Sequence, residues 1–263
     1  MTYQLSNKDI YILMNMLGAK TLIGLSYPFS GQDPRQFDIE QEITFRKLHQ
    51  LGLVDLVSGE LSFNDEFIEA MWVIARSNVV VEMVLDEHEK TLFYFSDHQV
   101  IECTRLHENQ LAITILGKPD ETWNDIILPR MLKGVENLPV QTTQHLLISP
   151  ADYKKYVQDH KIDHLEQIEE TNRLETCSVI VKQFHKAIQR KIHNQRLMMF
   201  YQRNDQWNVE GIHVLTSPSY NWVLRMIQHE HDEWLEARQA SGADIVKEIV
   251  DVIARVKNEP GSL

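Results

Sequence analysis

At Val79 the hydrophobic period of the chain changes, and no other feature narrows the choice of fold as much. Four short segments follow within residues 79–117: "VVVEMVL", "TLFYFS", "QVIECTRL" and "LAITILG". They are rich in β-branched and aromatic residues, and polar turns such as Asp86-Glu87-His88-Glu89 divide them. Segments of this kind read as an antiparallel β-meander. Helical patterns precede it. Ser6 and Asp9 form an S-x-x-D capping pair, after which Ile10, Leu13, Met14 and Leu17 recur at helical spacing and Gly18 suits the end. Residues 38–51 read as a second helix, "LVDLVSGELSF" as a hairpin around Ser58-Gly59, and residues 64–76 as a third helix. Pro119 opens a helix carrying Trp123, Ile127 and Met131.

The second half replays parts of the first. "LISPADYKKYV" echoes "QLSNKDIYILM", with Ser149 and Asp152 where Ser6 and Asp9 stand. "QWNVEGIHVLTSPSYNWVLRMI" echoes "NQLAITILGKPDETWNDIIL", so Pro218 and Trp222 match Pro119 and Trp123. On this alignment the first half carries an insertion over about residues 28–71. A polar helix is expected over residues 164–174, strands after Thr176, a helix from 217 to about 238, and a last helix from Ser241 and Asp244 with Ile245, Ile249, Val252, Ile253 and Val256 on one stripe. The expected architecture is α+β: a central, mostly antiparallel sheet with helical bundles and a pseudo-two-fold internal repeat. The repeats span 1–141 (a helical start with the insertion, then meander and helix) and 142–263 (ending in a helical hairpin), in one compact unit.

Several chemistries find no support. Ten glycines leave no phosphate-cradling loop, and neither G-x-G-x-x-G, a P-loop nor G-x-S-x-G occurs. Cys103 and Cys177 have no disulfide or zinc spacing and read as packing residues. "IQHEHDEWLE" crowds His229, Glu230, His231, Asp232 and Glu233 together. On a helix His229 and Glu233 share a face, yet no H-E-x-x-H occurs, so a solvated face is favoured over a metal site. The stretch 176–204 lacks acids after Thr176 and holds Lys182, Lys186, Arg190, Lys191, Arg196 and Arg203 until Asn204. With 38 acids against 26 bases and a net charge of -12, a charged sheet edge is favoured over a phosphate groove. No signal peptide, no bilayer-length apolar run and no disulfide framework point to a cytoplasmic protein.

The order of elements resembles the EspG-type chaperones of the type VII (ESX) secretion pathway, and more closely their Firmicute counterparts of the EsaE kind. The resemblance rests on "LSNKDIYILMNMLG", on "FRKLHQLGLVDLVSGELSFNDEFIEAMWVIAR", and on the two strand sets that each close on a helix. It covers nearly the whole chain and includes no catalytic motif. It implies a cytosolic, non-enzymatic chaperone or adaptor without cofactor or metal. The implied partner is a secreted substrate with a helical N-terminal targeting region, a toxin in the Firmicute branch. The membrane secretion ATPase is a further implied partner, with neither nucleic acid nor membrane insertion involved. Binding residues do not transfer from the resemblance.

The residues themselves suggest two groups for a helix-in-groove contact. Met198 and Met199 are neighbours in a predicted strand, so one of them faces away from any single core. Trp234, Leu235, Ile245 and Ile249 would form the tip of the C-terminal helical pair. The alternatives are a winged-helix DNA-binding regulator built on the first 75 residues, and a metal-dependent enzyme using His229 and Glu233.

Overall fold

The computed structural model describes residues 1–29, 34–57, 60–86, 89–107, 109–161, 165, 177–229 and 232–257. Strand β1 (Thr2–Ser6) runs into helix α1 (Asn7–Met16), followed by α2 (Pro34–Gln50), the hairpin β2 (Val54–Val57) and β3 (Glu60–Phe63), and α3 (Asp65–Arg76). The meander is β4 (Val79–Leu85), β5 (Glu89–Phe95), β6 (Val100–His107) and β7 (Gln110–Ile115). A broken helix follows: α4 (Pro119–Thr122), a π-helical turn (Trp123–Ile127) and α5 (Leu128–Met131). The second half holds β8 (His145–Ile148), α6 (Pro150–Asp159), α7 (Cys177–Gln189), β9 (His193–Arg203), β10 (Gln206–Thr216), β11 (Asn221–His229), β12 (Asp232–Gln239) and α8 (Gly242–Lys257).

All strands except β2 and β3 join one 10-stranded sheet in the order β1-β7-β6-β5-β4-β9-β10-β11-β12-β8. Every pairing in it is antiparallel. The order is symmetric about the β4–β9 pair, where Val80 faces Phe200 and Glu82 faces Met198. At each outer edge stands a short strand that leads into a capped helix. The Ser6 hydroxyl accepts from the Asp9 N–H at 3.1 Å, and the Ser149 hydroxyl accepts from the Asp152 N–H at 3.1 Å. The first echo in the sequence therefore marks equivalent places in the two halves.

The second echo does not. Gln206–Thr216 is β10 beside β9, whereas Gln110–Ile115 is β7 beside the edge strand. By position, β10 answers to β5 and α7 to α3, and among the described residues α2 and the β2–β3 hairpin have no counterpart in the second half. The expected helix from 217 to 238 is instead the hairpin of β11 and β12. Trp222, Val223 and Leu224 are all buried there, because this end of the strand is covered on both faces. The expected C-terminal helical hairpin is thus a strand pair followed by α8 alone. The strand expected after Thr176 is helix α7, whose Ile180, Val181, Phe184 and Ala187 are buried at helical spacing. The polar helix expected over 164–174 lies almost wholly outside the described residues.

Period-2 alternation sends side chains to two faces. On the back face, one core spans the centre: Val81, Met83, Phe93, Leu197, Met199, Ile212 and Val214 pack against Trp123, Ile127, Met131 and the stripe Ile245, Ile249, Val252 and Val256. The front face has two separate cores. Val80, Leu92, Tyr94, Ile101 and Cys103 pack under α1, α2 and α3. Leu215, Trp222, Leu224, Leu235 and Ala237 pack under α6 and α7. The middle of the front face lies between these two cores.

Candidate functional site

The central strip of the front face is made by alternate residues of three strands. Glu82 and Val84 come from β4, Arg196, Met198 and Phe200 from β9, and Val209, Gly211 and His213 from β10. Register sets them in rows: Val84, Arg196 and His213 in one, Glu82, Met198 and Gly211 in the next, and Val80, Phe200 and Val209 in the third. Phe200 and Trp207 lean onto the first front core. Met198, Val84 and His213 are half-buried, and Val209 is 52% exposed. The absence of a Cβ on Gly211 gives Met198 its place: a Cβ there would meet the Met198 Sδ. The β10–β11 ladder runs only from His213↔Leu224 to Thr216↔Asn221, so Val209 and Gly211 have no partner residue in β11. The result is a shallow trough with a sulfur and aliphatic floor, flanked by helical layers. Methionine suits such a surface because its unbranched chain adapts to different contours.

The polar groups of the strip differ in their partners. Glu82 holds Lys90 at 2.6 Å. Asn194 and His213 are hydrogen-bonded across β9 and β10. A concavity of about 150 Å³ lies over Val84, Asn194, Arg196 and His213. A larger cleft of about 310 Å³ lies between the end of α3 and the β5–β6 turn. Two contacts engage charged groups in its lining: the Arg76 guanidinium stacks on Trp72 at 3.8 Å, and His98 and Glu69 meet at 3.0 Å.

The residues singled out in the sequence fall into two sets. Met199, Ile245 and Ile249 are fully buried in the back core, and Leu235 is 9% exposed in a front core. They are scaffold, out of reach of a partner in this conformation. Met198 lies on the trough floor. Trp234 is half-buried on β12 opposite Ile227, on the back face and away from the trough. Trp234 and Leu235 are neighbours on a strand, so they cannot share a helix tip with Ile245 and Ile249. Val209 escaped the sequence reading; its signal is the alternation in "WNVEGIHV", where Val209 shares a face with Gly211 and His213.

The metal-site reading fails on geometry. His229 pairs with Asp232 and Gln228 with Glu233 near the end of a β-hairpin, so positions 229 and 233 fall on opposite faces. Glu230 and His231 lie outside the described residues. Among the described residues no group of three or more metal-ligating side chains converges. The expected basic strand face is also redistributed: Lys182 and Lys186 lie on the exposed side of α7, Arg190 and Lys191 follow it, and only Arg196 and Arg203 are on β9. In the would-be winged helix, α2 exposes Ile39 and Ile43, sets Lys47 against Asp9 at 2.5 Å and carries Arg46 beside Glu42, where a recognition helix presents bases. The cysteine reading holds for Cys103, which is buried; burial, with Glu102 beside it, pushes its thiol far above the ordinary range. Cys177 begins α7.

Among the described residues, no helix is long and apolar enough to cross a membrane. No protein-family model and no curated protein matches this sequence. The fold does match. The structure of the Mycobacterium tuberculosis type VII secretion system chaperone EspG5 in complex with the PE25–PPE41 dimer is similar over 100% of this chain and 98% of that chain, with a TM-score of 0.62 and 10% sequence identity. At that identity the likeness establishes a shared architecture.

Proposed function

We propose that this protein is a cytoplasmic chaperone or adaptor that binds the helical targeting region of a type VII secretion substrate and brings it to the secretion machinery. The observation that carries the reading is the half-exposed Met198–Val209 trough between two helical layers, on a fold shared with a type VII secretion system chaperone solved in complex with the PE25–PPE41 dimer. A helix laid in the trough would cover Val209 and Met198. Burial of apolar area at about 25 cal/mol per Å² favours that contact, less the cost of ordering both partners. Holding a helix needs no nucleophile and no cofactor loop, which fits a sequence that offers neither. The substrate as a toxin, the secretion ATPase as a second partner, and residues 1–141 and 142–263 as two repeats acting as one stiff body belong to the same proposal.

The test is purification of the tagged chain from its native cell, with mass spectrometry of whatever co-purifies. The expected result is one dominant protein with a long helical N-terminal region, lost on Val209→Arg while the unfolding midpoint is unchanged. A partner retained by that variant moves the binding site elsewhere. A chain that purifies alone from cells expressing the secretion system contradicts the chaperone reading.

A further inference from the structure

Arg196 is a charge of the trough that is unmatched among the described residues. Arg130 meets Glu102, Arg225 meets Glu236 at 2.7 Å, Arg238 meets Glu248, and Arg255 meets Glu210 at 3.0 Å. Each of these guanidiniums, on the sheet or against it, has a carboxylate. Arg196 is exposed on the trough floor and has no ion-pair partner among the described residues. Glu82, on the same face, is already held by Lys90. In a chain of net charge -12, an unmatched cation beside an apolar strip, over a concavity of about 150 Å³, is a local reversal of sign.

We infer that Arg196 reads a carboxylate on the bound helix. This rests on the trough being the binding site. Phe200, Met198 and Arg196 are successive same-face residues of β9, so their side chains step along the floor by about 7 Å each. One helical turn of four residues advances by about 6 Å. A helix lying along β9 and running against it therefore presents residues i, i+4 and i+8 to Phe200, Met198 and Arg196 in turn. The recognised pattern is two apolar residues and then Asp or Glu, each about one turn apart. The guanidinium is suited to the role because its fork of donors matches a carboxylate in two parallel bonds.

Two amphipathic helical peptides of about 20 residues serve as probes. They share one sequence with apolar residues at i and i+4, and differ only in Glu or Gln at i+8. Binding is measured by fluorescence anisotropy with the full chain, with Arg196→Gln, and with Val209→Arg. The wild type is expected to bind the Glu peptide about fivefold more tightly than the Gln peptide, an advantage that shrinks as salt rises. Arg196→Gln should bind both alike, with an unchanged unfolding midpoint because the side chain is exposed. Equal binding of the two peptides by the wild type, or a preference that survives Arg196→Gln, overturns the role of Arg196 and leaves the trough standing. Binding of neither peptide, or undiminished binding by Val209→Arg, overturns the trough itself.

Discussion

Ile249→Ala is the substitution that best separates scaffold from surface in α8. Ile249 is fully buried between Ile245 and Val252, facing the back of the sheet. Truncating it removes apolar contacts and leaves a cavity in a region pressed from both sides, a change that costs about 2–5 kcal/mol. Alanine's better helix propensity returns about 0.4 kcal/mol. A net loss of about 3 kcal/mol follows, which for a chain of this size lowers Tm by roughly 6–12 °C. Val250 is the internal control: it is the next residue, 47% exposed, and its truncation should stay within about 0.5 kcal/mol. Urea and thermal unfolding of the two variants against wild type give the comparison. Losses that match, or an Ile249→Ala loss below about 1 kcal/mol, would mean that α8 does not pack on the sheet through this stripe, and the assignment of Ile245 and Ile249 to the scaffold would fall.

Other perturbations have equally definite outcomes. Asp9 accepts from Lys47 at 2.5 Å, from Thr44 at 2.9 Å and from the Ser6 N–H at 2.8 Å. Burial alone would raise its pKa, but the bond and charge of Lys47 and the backbone and side-chain bonds of Ser6 bring it below the ordinary value. A depressed carboxyl stabilises the fold above its unfolded pKa of about 3.9 and loses that contribution as pH falls through the folded value. Asp9→Asn should therefore cost about 2 kcal/mol near neutrality and flatten the acid limb of the stability profile below about pH 4, as read by urea midpoints across pH. Gly134 has φ +72° and its Cβ position is occupied by the His193 ring, so Gly134→Ala should destabilise by about 1–3 kcal/mol in the same assay. In a Cys177→Ser background, the Cys103 thiol should resist a thiol reagent until urea unfolds the chain; rapid native labelling would contradict its burial.

The parts of the fold that were legible in the sequence carry local chemistry. Ser6–Asp9 and Ser149–Asp152 announced α1 and α6 because a short side chain and a backbone N–H three residues on are enough to define a helix start. The meander from Val79 was legible because each strand is short, alternating and bounded by polar turns. The misreading of residues 217–238 as a helix has a physical cause. Trp222–Leu224 is buried on both faces, so the apolar run carries no strand period, and Trp222 with Met226 imitates a helical stripe. Edge strands β1 and β8 are short and precede strong caps, so the helix starts behind them were legible and the strands themselves were not. The trough was only half legible. The pairing of Met198 with Met199 shows that one of them faces away from the back core, but Val209 becomes neighbour to Phe200 only through the β9–β10 register.

The central claim is that the partner lies on the front face between the helical layers, and photo-crosslinking tests it most directly. A photoreactive residue placed at Val209, 52% exposed in the trough, is compared with one at Val250, 47% exposed on α8 behind the sheet, in the complex purified from the native cell. An adduct with the partner's helical region is expected from position 209 and none from position 250. An adduct from 250 with none from 209 would contradict the claim.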